Sequence, residues 1–205
     1  HAIMGFSNAY FYNSELVADE SVQDNRLVND EESTLYKSIE FIDTAGCSYE
    51  EIQNPETLSY SNPREGDVLF RHLQQLLTEY LNYPEFPGIE VGIIDPYREQ
   101  IEWLKDNLQA YEMNQEKLLS LSIKTIDGFQ GEERDLIYIT LVRSNERQEI
   151  GFLGDLRRMN VAITRARKKL VVIGDSATIG AHPFYQAFLE HCEKEGAYRS
   201  AWEWT

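Results

Sequence analysis

Three segments carry residue types that could do chemistry. The first is GFLGDLRRMNVAITRARKKLVVIGD, residues 151–175, which holds Arg157, Arg158, Arg165 and Arg167 ahead of a buried apolar run. A guanidinium offers a planar, permanently charged fork that matches phosphate oxygens two at a time. The same arginines would serve equally as surface cations paired with the chain's many carboxylates. The second is IKTIDGFQGEERDLIYITLV, residues 123–142. Gly128 and Gly131 allow tight turns and close backbone approach to a ligand. Gln130, Glu132, Glu133 and Asp135 add polar groups, and a plain solvated loop between two core strands would look the same. The third is VGIIDPYREQ, residues 91–100, where Tyr97 and Arg98 follow a strand end. An aromatic beside a cation can stack on a nucleic-acid strand, or lie over a helix start with no such role. There is no GxxxxGK[ST] phosphate loop, no HExxH, no GxSxG and no cysteine pair at metal spacing. No metal site is expected.

These segments need a scaffold that the apolar pattern supplies. Strands are expected at 38–44, 90–95, 119–125, 135–142 and 169–174, the last two as near-continuous apolar runs suited to burial on both faces. Helices are expected at 1–12, from Arg64 to about Tyr80, from Pro96 in a first turn to about Leu108, at 156–166 and at 183–192. On the 156–166 helix, Arg158, Ala162 and Arg165 would share one face, and Ala162 and Ala166 are small enough to let it lie close to a neighbour. Residues 13–37 read as an irregular acidic surface arm, and 47–62 as a loop. Strands alternating with helices imply an α/β fold, a mainly parallel sheet covered by helices on both faces. Function in such sheets collects beyond the carboxyl ends of the strands. That rule points to residues 95–98, 125–133, 143–145 and 175, and sets Arg165 at the same rim.

Composition narrows the class. The chain has 205 residues, 42% of them hydrophobic and 26% charged, which suits one domain with an appended arm. No stretch approaches the length of a membrane span and no signal peptide opens the chain. Two cysteines are too few for a disulfide framework, so an intracellular, reducing setting is expected. The net charge of −16 argues against a tight nucleic-acid partner, but ten of the 19 basic residues fall in residues 121–175. Such a domain would bind nucleic acid weakly alone, because phosphate neutralisation supplies most non-specific affinity. It would instead form one wall of a shared channel.

Taken together and in this order, VGIIDPYREQ, TIDGFQGEERDLIYITLVRSN and GFLGDLRRMNVAITRARKKLVVIGD resemble motifs IV, V and VI of the C-terminal RecA-like domain of superfamily 1 helicases. The branch is the one that contains the nonsense-mediated-decay RNA helicase and senataxin. The opening IMGFSNAYFYNSEL resembles the stretch leading out of the family's first motor domain. The resemblance implies a RecA-like three-layer fold. It divides the chain into residues 1–37, a helix and arm continuing from an absent first motor domain, and residues 38–205, the second RecA-like domain. It implies an ATP-dependent helicase, with ATP and Mg²⁺ held mainly by the first domain of the same polypeptide, so that the isolated chain would be inactive. Arg165 would be the arginine finger on the γ-phosphate. Glu133 would contact the nucleotide, Gln130 and Gly131 would shape that edge, and Arg158 would support the finger, with Arg157 a further support. Tyr97, Thr125 and Asp127 would lie near a single strand of DNA or RNA. Arg143, Ser144 and Asn145 would couple that groove to the ATP site. A monomer without membrane contact is expected. The alternative is a degenerate RecA-like module that serves as a protein-interaction platform, for which the acidic N-terminal third would be suited.

Overall fold

The computed structural model describes residues 2–12, 15 and 25–205. In chain order its elements are helix α1 (Ala2–Phe11), strands β1 (Ile39–Asp43), β2 (Ile52–Gln53) and β3 (Tyr60–Ser61), then helix α2 (Pro63–Tyr80) and strand β4 (Ile89–Asp95). Helix α3 (Arg98–Asn107), strands β5 (Leu118–Thr125) and β6 (Arg134–Thr140), helix α4 (Leu156–Ile163) and strand β7 (Ala166–Gly174) follow. The chain closes with helices α5 (Ser176–Ile179) and α6 (Pro183–Lys194) and strand β8 (Tyr198–Ser200).

Six strands form one sheet in the order β5-β4-β6-β7-β1-β8, and every neighbouring pair in it is parallel. Successive side chains of a strand point to opposite faces, and the core divides accordingly. Ile137, Ile139, Leu170 and Val172 join one cluster with α1, α4 and α6. Leu136, Tyr138, Val171 and Ile173 join another with α2 and α3. A sheet dressed on both faces by helices is the expected α/β, RecA-like architecture. Helix α1 belongs to the first cluster: Phe6 packs edge-on against Phe184 and Phe188, and the Ser7 hydroxyl donates to Asn160 of α4 at 2.7 Å.

One charged cluster is threaded through the second face. Glu40 of β1 is 3% exposed and meets Lys169 at 2.8 Å, His72 at 3.4 Å and Arg199 at 3.5 Å. Burial alone would raise its pKa, yet the Lys169 and His72 charges outweigh that and hold the carboxyl well below its usual range. The Tyr138 hydroxyl shares a 2.6 Å hydrogen bond with His72. The cluster ties β1, β6, β7, β8 and α2 together.

The structure corrects four expectations. The 47–62 loop contains the antiparallel β2–β3 hairpin. Helix α3 begins at Arg98 and leaves Pro96 outside, because Asp95 Oδ1 accepts the Tyr97 N–H at 2.7 Å in a local turn. Helix α4 ends at Ile163, short of Ala166, where the Arg165 N–H turns to the Ala162 carbonyl and the Arg165 side chain takes the Val161 carbonyl that the next helical bond would have used. The arm is not wholly a surface feature, for Leu27 and Val28 are buried; its residues 13, 14 and 16–24 lie outside the described residues, as does His1.

Candidate functional site

Arg165 follows the end of α4 and directly precedes β7. The helix returns from the carboxyl edge of β6 to the amino edge of β7, so Arg165 stands at the amino edge and not at the carboxyl rim. It is also off the helix. Its Nε donates to the Val161 carbonyl at 3.0 Å, and Nη1 lies 3.5 Å from the Glu132 carbonyl. The Arg134 N–H donates to the Arg165 carbonyl at 3.1 Å, which places Glu133 beside it at the start of the adjacent strand.

A groove of about 310 Å³ runs along α4, lined by Ile126, Asp127, Gln130, Arg157, Arg158, Val161 and Arg165. Three of the residues expected at a nucleotide, Gln130, Arg158 and Arg165, are therefore brought together. Arg158 is paired with Asp127 and Asp155, each at 3.4 Å. Arg167 is neutralised by Glu90 and by Asp135. Among the described residues no carboxylate pairs with Arg157 or Arg165. The reading of these cations as ordinary surface ion pairs thus holds for Arg167 and not for Arg165. Gly131 has φ +80°, a conformation that costs glycine nothing, and it turns the chain from Gln130 into the acidic pair. Glu132 of that pair is tied to Lys124 at 2.5 Å and Arg134 at 2.7 Å, which leaves the exposed Glu133 carboxylate as the outward one. Asp127 lies on this groove, away from Tyr97. Thr125 Oγ1 accepts the Gly128 N–H at 3.3 Å.

The carboxyl edge is built differently. Arg143 is 3% exposed, and its Nε and Nη2 donate to the two oxygens of Glu51 at 2.8 and 3.0 Å. Burial would lower its pKa, but the bonds to Glu51 and Tyr97 outweigh this and raise it above the ordinary value. Glu51 also accepts the Ser144 N–H at 2.8 Å and the Asn145 amide at 3.1 Å. Ser144 Oγ donates to Asp175 at 2.8 Å. The three residues expected to couple the two sites are thus gathered around one carboxylate that sequence reasoning missed. Glu51 sits just before a two-residue strand with no apolar period to mark it. Tyr97 is 1% exposed, with Tyr60 and Phe152 rings at 5.7 Å on either side, so its face is taken by protein. Phe152 is the exposed member, at 64%. Gly151, at φ +54°, lets the backbone close on this group, since a Cβ there would fall 2.2 Å from Arg143 Nη1 and 2.9 Å from the Tyr97 hydroxyl.

Beneath this edge lie two buried acids. Asp95 accepts from Thr140 and from the Tyr97 N–H, and Glu65 accepts from the Val142 N–H at 2.8 Å. Burial pushes both well above the usual carboxylate range. Among the described residues there is no group of three or more His, Cys, Asp or Glu placed to hold a metal ion, and no helix long and apolar enough to cross a membrane.

Comparison with known proteins adds an independent line. A family model described as AAA domain (AAA_12) matches residues 1–177. The chain is 34% identical over 211 residues to the DNA-binding protein SMUBP-2 of Mus musculus, which covers 99% of this chain and 20% of that protein. It is 34% identical over 211 residues to the DNA polymerase alpha-associated DNA helicase A of Saccharomyces cerevisiae, covering 96% of this chain and 29% of the relative. With Regulator of nonsense transcripts 1 of Dictyostelium discoideum the identity is 36% over 143 residues, 69% of this chain and 10% of the relative. The chain spans less than a third of the length of each.

Proposed function

The chain belongs to the AAA domain (AAA_12) family, and from that premise we propose that it is the second motor domain of an ATP-dependent helicase or translocase acting on single-stranded DNA or RNA inside the cell. The observation that carries this reading is Arg165: a guanidinium on an open groove, without a carboxylate partner among the described residues. A cation left so is suited to an anion that comes from outside the domain.

The groove's chemistry fits the outer phosphate of a nucleotide and not the whole of it. Three arginines and Gln130 can meet phosphate oxygens, but no glycine-rich phosphate loop is present. ATP and its Mg²⁺ would accordingly be held mainly by a first motor domain of the same polypeptide, and supply the phosphoryl group that is cleaved. Arg165 would stabilise charge on that group across the domain interface, with Arg158 and Gln130 beside it and the outward Glu133 and the Gly131 turn at the nucleotide's rim. The carboxyl-edge rule concerns ligands held by a sheet's own strand ends. A residue acting on a neighbour's ligand needs only exposure and a charge not already neutralised, and the amino edge provides both. Arg143, Ser144 and Asn145 would couple the ATP site to the strand-binding edge, to which Thr125 would contribute, while the covered Tyr97 would shape that edge from within and Asp127 would act from the α4 groove. Contacts made only when the two domains close on ATP would favour the closed state, and hydrolysis would release it.

The test is Arg165→Ala in the full-length protein. Turnover stimulated by single strand should fall by about 10³ or more, the scale of arginine fingers elsewhere, while equilibrium binding of ATP stays within a few-fold. Near-normal turnover in this variant would exclude the finger, and absence of any strand-stimulated turnover in the wild type would favour the interaction-platform reading.

A further inference from the structure

At the carboxyl edge β6 ends in a turn that a valine should avoid. Val142 has φ +69°, and the Arg143 N–H donates back to the Leu141 carbonyl at 2.8 Å. A bond across one residue whose φ is positive is the rare, strained form of the γ-turn, and a β-branched residue at its centre is a genuine outlier. Strain of this kind survives only where the surroundings over-determine it, and it concentrates at working sites.

The surroundings here are two fully buried polar side chains. Glu65 accepts the Val142 N–H at 2.8 Å, and Asn62 Nδ2 donates to the Val142 carbonyl at 3.3 Å. Both belong to the start of α2, where Asn62 caps the helix by accepting the Glu65 N–H at 3.3 Å. In an ordinary capping box the acid three residues on returns to the N–H of the capping residue. Here that N–H donates to Gln100 instead, at 2.8 Å, and the Glu65 carboxylate is diverted to Val142. A helix cap is thereby converted into a grip on both sides of one strained residue. The turn it secures sends the next three residues back onto Glu51.

We propose that Asn62 and Glu65 are positioning residues, which hold the Val142 turn so that Arg143, Ser144 and Asn145 keep the orientation in which the carboxyl edge engages a nucleic-acid strand. The inference rests on the motor reading above and adds the device that sets its groove.

The experiment is a double-mutant cycle in the full-length protein, reading ATP hydrolysis against the concentration of an oligo-dT or oligo-U single strand. Glu65→Met keeps the side-chain volume and removes the acceptor. It should raise the half-saturating strand concentration roughly tenfold with unstimulated hydrolysis unchanged, the pattern of lost binding rather than lost chemistry. Glycine adopts the turn without strain, so in a Val142→Gly background the same change should cost no more than about threefold. Equal factors in both backgrounds, or no change in half-saturation, would overturn the proposal. Should Glu65→Met fail to fold, Asn62→Ser applies the same cycle from the carbonyl side, because serine still caps α2 but has no amide to reach Val142. Absence of any strand stimulation in the wild type would overturn the motor reading and this inference with it. A stimulated wild type whose variants show equal or unchanged half-saturation would overturn this inference alone.

Discussion

Arg143 and Arg165 are the same residue type, and both border the sheet, yet they stand in opposite conditions. Arg143 is sealed in, with the Glu51 carboxylate taking two of its donors, while the next residue, Ser144, donates to Asp175. Arg165 spends its donors on two backbone carbonyls and keeps its charge. A charge buried and saturated from within braces the protein that holds it. A charge left half-open on a groove contributes little to its own fold, and its use lies with something that arrives. The carboxyl edge is therefore a pre-formed, internally balanced structure, while the α4 groove keeps a cation that no carboxylate among the described residues balances.

The largest effect that separates the two regions should come from Glu51→Ala. Arg143 and Glu51 side chains are 4% and 13% exposed, and removing one partner of a buried pair strands the other charge, at about 3–5 kcal/mol. For a domain of this size each kcal/mol shifts Tm by roughly 2–4 °C, so thermal melting should show a loss on the order of 10 °C. Arg165→Ala in the same assay should stay within about 0.5 kcal/mol, as surface changes do. Equal losses would mean that Arg165 is a structural cation too, and the contrast would fail.

How far this contrast was legible in the sequence follows from what each region is made of. The strands β6 and β7 declare themselves because burial on both faces demands continuous apolar runs, and α2 because Leu69, Leu73, Leu76 and Leu77 recur at helical spacing. The residues Gln130, Arg158 and Arg165 could be picked out by type and order, and they do meet in one groove. The edge on which Arg165 stands was misjudged, because a strand-end rule was applied to a residue that precedes its strand. Glu51 left no local signal, and Asn62 and Glu65 read only as the start of α2. Each acts through one or two hydrogen bonds to Val142 or Arg143, some 80 to 90 positions away in sequence, and hydrophobic periodicity carries no information about such pairs.

A smaller and pH-dependent effect probes the floor of the carboxyl edge. Burial raises the Asp95 carboxyl well above its usual range, so between the unfolded value near 4 and the folded value the native state holds a proton that the unfolded state has lost. Stability from this group is therefore fully present at low pH and declines as pH rises through that window. Asp95→Asn should remove the decline. An asparagine can accept the Tyr97 N–H and donate to Thr140, the two partners Asp95 now has. Chemical denaturation at pH 4 and pH 8 should show the variant gaining on the wild type at the higher pH. A constant difference at both values would mean that Asp95 is ionised in the folded protein, and the carboxyl edge would then carry a buried unpaired charge instead of a balanced set.

The smallest expected change sharpens the groove side. Arg158 touches Asp127 and Asp155 at 3.4 Å, but the three side chains are 53%, 68% and 49% exposed. Pairs this exposed are screened and typically contribute about 0–1 kcal/mol, so Arg158→Ala should move Tm by no more than about 2–4 °C. Its effect should appear instead in the full-length protein as a weaker apparent affinity for ATP, because Arg158 shares the groove with Arg165 and its acidic neighbours hold it only loosely. If melting fell as far as it does for Glu51→Ala while ATP affinity stayed at the wild-type value, Arg158 would be a brace like Arg143. The line dividing a self-contained edge from a half-built groove would then have to be drawn through α4 itself.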